Sequence, residues 1–144
     1  MTVGEQVHEQ TSESTRQAAT LPGPFGTRAL LRLDEALRLA DGATGLAFSI
    51  YVGDLDEPTR DHAVTLQRQL TDPDRAVLIA VSPNQRLLEV VTGAEARKRI
   101  PDRDAKLAAL SMAAAFGGGD LTGGLVSGID QLASRAGRAL VSHA

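Results

Sequence analysis

The sequence predicts an α/β protein, a three-layer α/β/α sandwich around a small mixed β-sheet. Two observations set the strands: GLAFSIYV at 45–52 and RAVLIAVS at 75–82 are short, continuously apolar and rich in β-formers, as strands buried on both faces are. A helical segment lies between them, and strand, helix, strand is the order of a parallel crossover. The third observation concerns RLLEVVTG at 86–93, which follows the second strand after the short turn SPNQ. So brief a connection requires antiparallel pairing, and the sheet is therefore mixed.

The remaining elements follow in order. From Thr27 as a candidate N-cap, Leu30, Leu33, Leu37 and Ala40 recur at helical spacing, and the pattern predicts a helix ending near Asp41 and Gly42. Glu57 and Pro58 open a second helix carrying Ala63, Leu66 and Leu70, which TDPD at 71–74 ends. Pro101 and Asp102 start a third, Ala- and Leu-rich helix that the glycines at 117–119 stop, and a fourth runs from about Asp120 to about Leu140. Residues 1–20, rich in Glu, Gln, Ser and Thr, carry too few large apolar groups to offset the entropy of ordering them. They are expected to form a disordered tail, with a single domain over 21–141 and a short C-terminal tail at 142–144.

A chain of 144 residues that is 42% hydrophobic is long enough for one real core. Its formal net charge of -3, with acidic and basic residues interleaved, predicts no nucleic-acid binding. The absence of cysteine excludes thiol chemistry and cysteine zinc sites. Of three histidines, His8 and His143 lie near the ends and His62 stands alone on a helix, so each reads as a solvated side chain. No apolar run is long enough to cross a bilayer, and the opening MTVGEQVHEQ has neither the apolar core of a secretory signal nor the pattern of a transit peptide. A cytoplasmic location without direct membrane insertion is expected.

The most unusual stretch is FGGGDLTGGLVSGIDQLA at 116–133. A phosphate loop would follow a strand and end in Gly-Lys-Ser or Gly-Lys-Thr, whereas here a helix precedes the glycines and no lysine follows. The better reading is structural: Gly118 and Gly119 lie in a reversal between helices, Asp120 caps the next helix, and Gly124 and Gly128 leave a bare stripe for close approach of the third helix or the sheet.

ATGLAFSIYVGDL, DRAVLIAVSPNQRLLEVVTGAEA, IPD and FGGGDLTGGLVSGIDQL together resemble the TPM domain family, over about Phe25 to Ala133. The closing glycine series is the most specific part. Three departures stand out: Asp74-Arg75-Ala76 replaces the family's Asp-Asn-Gly, Val91 and Gly93 replace its paired glycines, and Leu121 replaces an aromatic residue. The resemblance implies either an accessory protein of a membrane complex or, from a plant thylakoid-lumen member, an acid phosphatase.

A phosphatase would need carboxylates holding a hard divalent cation, which polarises the phosphoryl group and acidifies a bound water. The predicted topology puts Asp72 and Asp74 on the same rim of the sheet as Thr92, Gly93 and Glu95. Asp102 and Asp104 can join them, Asp120 matches the family's Gly-Asp, and Asp54 belongs with Asn84 on the opposite rim. Asp72, Asp74, Asp102 and Asp120 are thus the candidate metal ligands, for weak Ca2+ or Mg2+ binding at most. Caps and turns account for the same aspartates without any metal. The preferred expectation is a non-catalytic module with no resident cofactor that engages another protein; the alternative is a cation-dependent phosphomonoesterase.

Overall fold

Ladder and burial pattern together fix the architecture. The computed structural model describes residues 5–6 and 25–138. In chain order these are β1 (Glu5–Gln6), α1 (Thr27–Thr44), β2 (Ala47–Val52), α2 (Thr59–Arg68), a 3-10 turn (Pro73–Arg75), β3 (Ala76–Ser82), β4 (Leu87–Thr92), α3 (Ala94–Arg99), α4 (Asp102–Ala113), α5 (Ala115–Gly118) and α6 (Leu121–Ala136). The sheet order is β1-β2-β3-β4, with β2 and β3 parallel and both other pairs antiparallel. The mixed sheet of the sequence reading is present. Glu5 and Gln6, assigned there to the tail, pair with Val52 and Tyr51 as a short edge strand. The rest of 1–20 and all of 142–144 lie outside the described residues.

Alternation along the strands sorts the core into two layers. Phe48, Ile50, Val52, Val77, Ile79, Val81, Leu88 and Val90 face α1, α4 and α6, which contribute Leu33, Leu37, Met112, Leu125, Ile129 and Leu132. On the other face Tyr51, Leu78, Ala80 and Val91 meet Ala63 of α2 together with Leu55 and Leu70. Every residue of β3 is buried, and each large aliphatic side chain removed from water there contributes roughly 1.5–3 kcal/mol.

Where helix boundaries differ from expectation, local chemistry explains the shift. α1 continues past Gly42, which is exposed with open space around it, to Gly45. There φ is 81° and the N–H donates to the Asp41 carbonyl at 2.8 Å, so Gly45 supplies the left-handed cap. α3 has no counterpart in the sequence reading, because in GAEARKRI only Ala96 and Ile100 are apolar and buried. The predicted third helix divides at Ala114, where the Gly117 N–H reaches the Ala114 carbonyl at 3.2 Å and tightens the last turn.

Tyr51 generates a pH prediction. Its hydroxyl donates to the Asp54 carbonyl at 3.1 Å, and burial, followed by the Asp54 and Asp56 carboxylates, holds its pKa above the ordinary 10.0. A phenol whose folded pKa is raised gives stability that is complete below the unfolded value and is lost as pH rises through the folded one. Urea midpoints of the native chain are therefore expected to fall above pH ~10, with a smaller alkaline fall in Tyr51→Phe. Equal slopes in the two chains refute this assignment.

Candidate functional site

The rim at the start of the parallel strands assembles much of the expected acidic cluster. Ala47 and Ala76 begin β2 and β3 side by side, and β4 ends there because Thr92 pairs with Val77. The turn bearing Asp72 and Asp74 is pressed against Gly93, whose N–H donates to the Ala76 carbonyl at 2.9 Å. A Cβ at Gly93 would sit 1.8 Å from the Pro73 carbonyl oxygen and 2.7 Å from that of Asp74. Only glycine allows this approach.

Cations are interleaved with the carboxylates on that rim. Arg97 Nε lies 3.5 Å from Asp102, and the same guanidinium donates to the Thr92 carbonyl at 2.7 Å. Arg75 lies 3.9 Å from Asp72 and donates to the Gly45 carbonyl, while Lys98 lies 3.2 Å from Glu95. Asp74 is exposed on its turn, and Asp104 pairs with Arg135 at 2.8 Å. Among the described residues, no three His, Asp or Glu side chains converge as a metal-binding group.

Asp120 stands apart from the other three candidates. α6 ends at the acidic rim, because Arg99 holds the carbonyls of both Ala136 and Thr44. Its 16 residues then place Asp120 about 24 Å away, at the other end of the helix. The Asp120 carboxylate accepts from the Gly123 N–H at 2.9 Å, which is the N-cap expected of it. Gly119 supplies φ 85° for the reversal. A Cβ at Gly124 would lie 2.5 Å from Ala115 Cβ, and one at Gly128 would lie 2.2 Å from Met112 Cγ. The glycine stripe is therefore the contact face of α6 against α4 and α5, as the spacing predicts, whereas Gly117 and Gly118 stand in open space.

The opposite rim holds Asp54 and Asn84 together, with Asn84 Nδ2 donating to Asp54 Oδ1 at 3.2 Å. Gln85 pins the loop after β2, accepting from the Leu55 N–H at 2.7 Å and donating to the Leu55 carbonyl at 3.0 Å. Arg86, at φ 55°, donates to the Phe116 carbonyl at 3.0 Å and lies 5.9 Å from the centre of the Phe116 ring. His62 is more enclosed than its sequence reading: its Nδ1 accepts from the Asp56 N–H at 2.8 Å and its ring meets Tyr51 edge-on at 6.4 Å. Sequence reasoning missed Gln85, Arg86, Arg97 and Arg99: Gln85, Arg86 and Arg99 bond to distant backbone, Arg97 bonds to the Thr92 carbonyl just before its own helix, and all four look like solvated side chains in a linear pattern.

The family model for a domain of unknown function, DUF5130, matches residues 6–133, nearly all of the described fold. The chain belongs to the DUF5130 family. Uncharacterized proteins from two strains of Mycobacterium tuberculosis are each 40% identical to it over 111 residues, 77% of this chain and 66% of theirs. This DUF5130 chain thus spans just under two thirds of the length of those relatives. Among solved structures it is similar to the N-terminal domain of a protein from P. gingivalis, at TM-score 0.68 and 18% identity, covering 78% of this chain and 76% of that one. It is similar also to the BA42 protein of the psychrophile Bizionia argentinensis, at 0.68 and 17%, covering 81% and 83%. The N-terminal domain of cg2496 from Corynebacterium glutamicum follows at 0.60 and 13%, covering 85% and 84%. At such identities these structures establish a shared fold.

Two substitutions test the rim and the motif. Gly93→Ala is expected to lower stability by about 3 kcal/mol or more in urea unfolding, since backbone rather than a flexible side chain must move. Asp120→Ala should cost about 1 kcal/mol and Asp120→Asn much less, because asparagine caps about as well as aspartate. Equal losses from the alanine and asparagine changes would count against capping as the role of Asp120.

Proposed function

We propose that the chain is a non-catalytic interaction module on a TPM-like scaffold, acting in the cytoplasm as an accessory domain of a membrane- or envelope-associated complex. The observation that carries this reading is a set of large side chains left in solvent. Leu31 and Leu39 on α1 are 65% and 63% exposed, and Leu107 and Leu110 on α4 are 50% and 66% exposed. α6 packs against both of these helices, so all four leucines belong to the helical layer of one sheet face. Solvent-facing leucines at several points of one layer are what a protein contact would cover.

The chemistry of the acidic rim supports the same reading. Asp72 and Asp102 each have an arginine within ion-pair distance, and Asp120 is engaged as a cap. A hard cation would have to compete with those guanidinium groups, and it would keep mostly water in its shell. The relatives' greater length fits a domain that works beside another segment. Among the described residues no helix is long and apolar enough to cross a membrane.

Site-specific photo-crosslinking in a mycobacterial host tests the module. Probes at Leu39 and Leu110 are expected to give a discrete protein adduct that a probe at exposed Arg68, on the other sheet face, does not. In parallel, amide shifts should move little with Mg2+, Ca2+ or Mn2+, and a generic phosphomonoester should show no chelator-sensitive turnover. Hydrolysis abolished by chelator and by Asp74→Asn or Asp102→Asn, with the fold intact, would overturn this reading in favour of the phosphatase.

A further inference from the structure

The outer edge of β2 is occupied one rung at a time, by different parts of the chain. The Gly53 N–H donates to the Val81 carbonyl at 3.0 Å, which sets the alternation of the parallel ladder. Gly53, Tyr51, Ser49 and Ala47 turn their backbone groups toward β3, and Val52, Ile50 and Phe48 turn theirs outward. The Phe48 N–H is taken by Asp41 Oδ1 at 2.7 Å. Val52 stands opposite Glu5, and Gln6 stands opposite Tyr51. Ile50, between Phe48 and Val52, presents its backbone to the next position of whatever strand lies there.

The occupant at Glu5–Gln6 is held by the fewest residues that make a strand. It is joined to α1 through residues 7–26, whose composition is dominated by small and polar side chains. At 3.3–3.6 Å per extended residue, that connection reaches roughly 60 Å or more. A two-residue strand on a connection of this length competes for its edge through the effective concentration that the connection supplies, of millimolar order for short flexible linkers.

We propose that the outer edge of β2 is a strand-acceptor site, filled in cis by the N-terminal segment of the chain and filled in trans by the same segment of a second copy. Recognition is through main-chain hydrogen bonds, as in other cases where an extended peptide is added to a sheet edge. Asp41 sets the far limit, because the outward N–H of Phe48 is already engaged. The docked segment runs antiparallel to β2 in the register Glu5–Val52. Two chains that exchange these segments form a symmetric, closed pair of contacts, which limits the assembly to a dimer.

Glu5→Pro in the full chain tests the site, since proline has no N–H to give the ladder. Amide exchange at Val52 is expected to accelerate about tenfold in this variant, while Leu78 and Ile79 in the centre of the sheet keep their protection. A synthetic peptide of residues 1–12 added to that variant should shift the amides of Phe48 to Gly53 and restore protection at Val52. In a mixture of isotope-labelled and unlabelled native chains at about 1 mM, an intermolecular NOE should connect Glu5 of one copy with Val52 of the other. Unchanged exchange in Glu5→Pro, or a peptide that leaves β2 unmoved, overturns the acceptor site. A scrambled peptide that acts equally well overturns the assignment of the occupant, and the absence of the intermolecular NOE overturns exchange between copies.

Discussion

The guanidinium of Arg99 joins the C-terminal ends of α1 and α6 to the end of α3. It donates to the Thr44 carbonyl at 2.8 Å, to Ala136 at 3.2 Å, and to Gly137 and Arg138 at 2.9 Å each. These are carbonyls at the C-terminal ends of α1 and α6, where helices leave acceptors without intrahelical partners and where the macrodipole favours a cation. Arg99 itself closes α3, directly after β4. One planar donor fork therefore holds both long helices against the end of the sheet that starts β2 and β3. Lysine could supply the charge but not four directed donations, which is the difference between the two cations at such a site.

Arginine has the same role at the outer edge of β4. The Gly93 bond to Ala76 and the β3–β4 register place the outward-facing carbonyls of β4 at Thr92 and Val90. Arg97 donates to the first at 2.7 Å and Arg60 to the second at 2.8 Å, and Arg60 also lies 3.3 Å from Glu89. Charged side chains laid on an edge strand hinder another strand from pairing with it. The two edges of the sheet are thus treated differently: guanidinium groups cover β4, whereas backbone from the chain's own N-terminal segment meets β2.

This division also sets what the sequence could reveal. β2, β3 and β4 were legible because continuous apolar runs and a short turn leave one topology, and Leu33, Leu37 and Ala40 were legible as a helix face. The cap at Asp120 and the packing of Gly124 and Gly128 were legible because each is a local geometric demand of one residue type. α3 was not, since it is one and a half turns long and its polarity resembles a loop. The choice of Gly45 over Gly42 as the end of α1 was not, since both are glycines and only the path into β2 separates them. Arg75 and Arg99 bond to backbone of elements 30 or more residues away in sequence, and a linear pattern does not encode those partners.

The candidate site follows from the same physics. A rim where β2 and β3 begin and β4 ends brings Asp72, Asp74 and Asp102 into one neighbourhood, as the topology required, but the arginines that stabilise the rim are placed among them. Each guanidinium satisfies exposed carbonyls and a carboxylate together, so the charge that would attract a metal ion is largely matched before any ion arrives. Gly93 makes that arrangement compact by letting the turn at Pro73 touch the start of α3. Removing one arginine would therefore leave carbonyls without a donor as well as a carboxylate without a counter-charge. The rim is organised first as a joint between elements, and under the proposed interaction role it is the helical layer, where leucines remain in water, that would meet a partner.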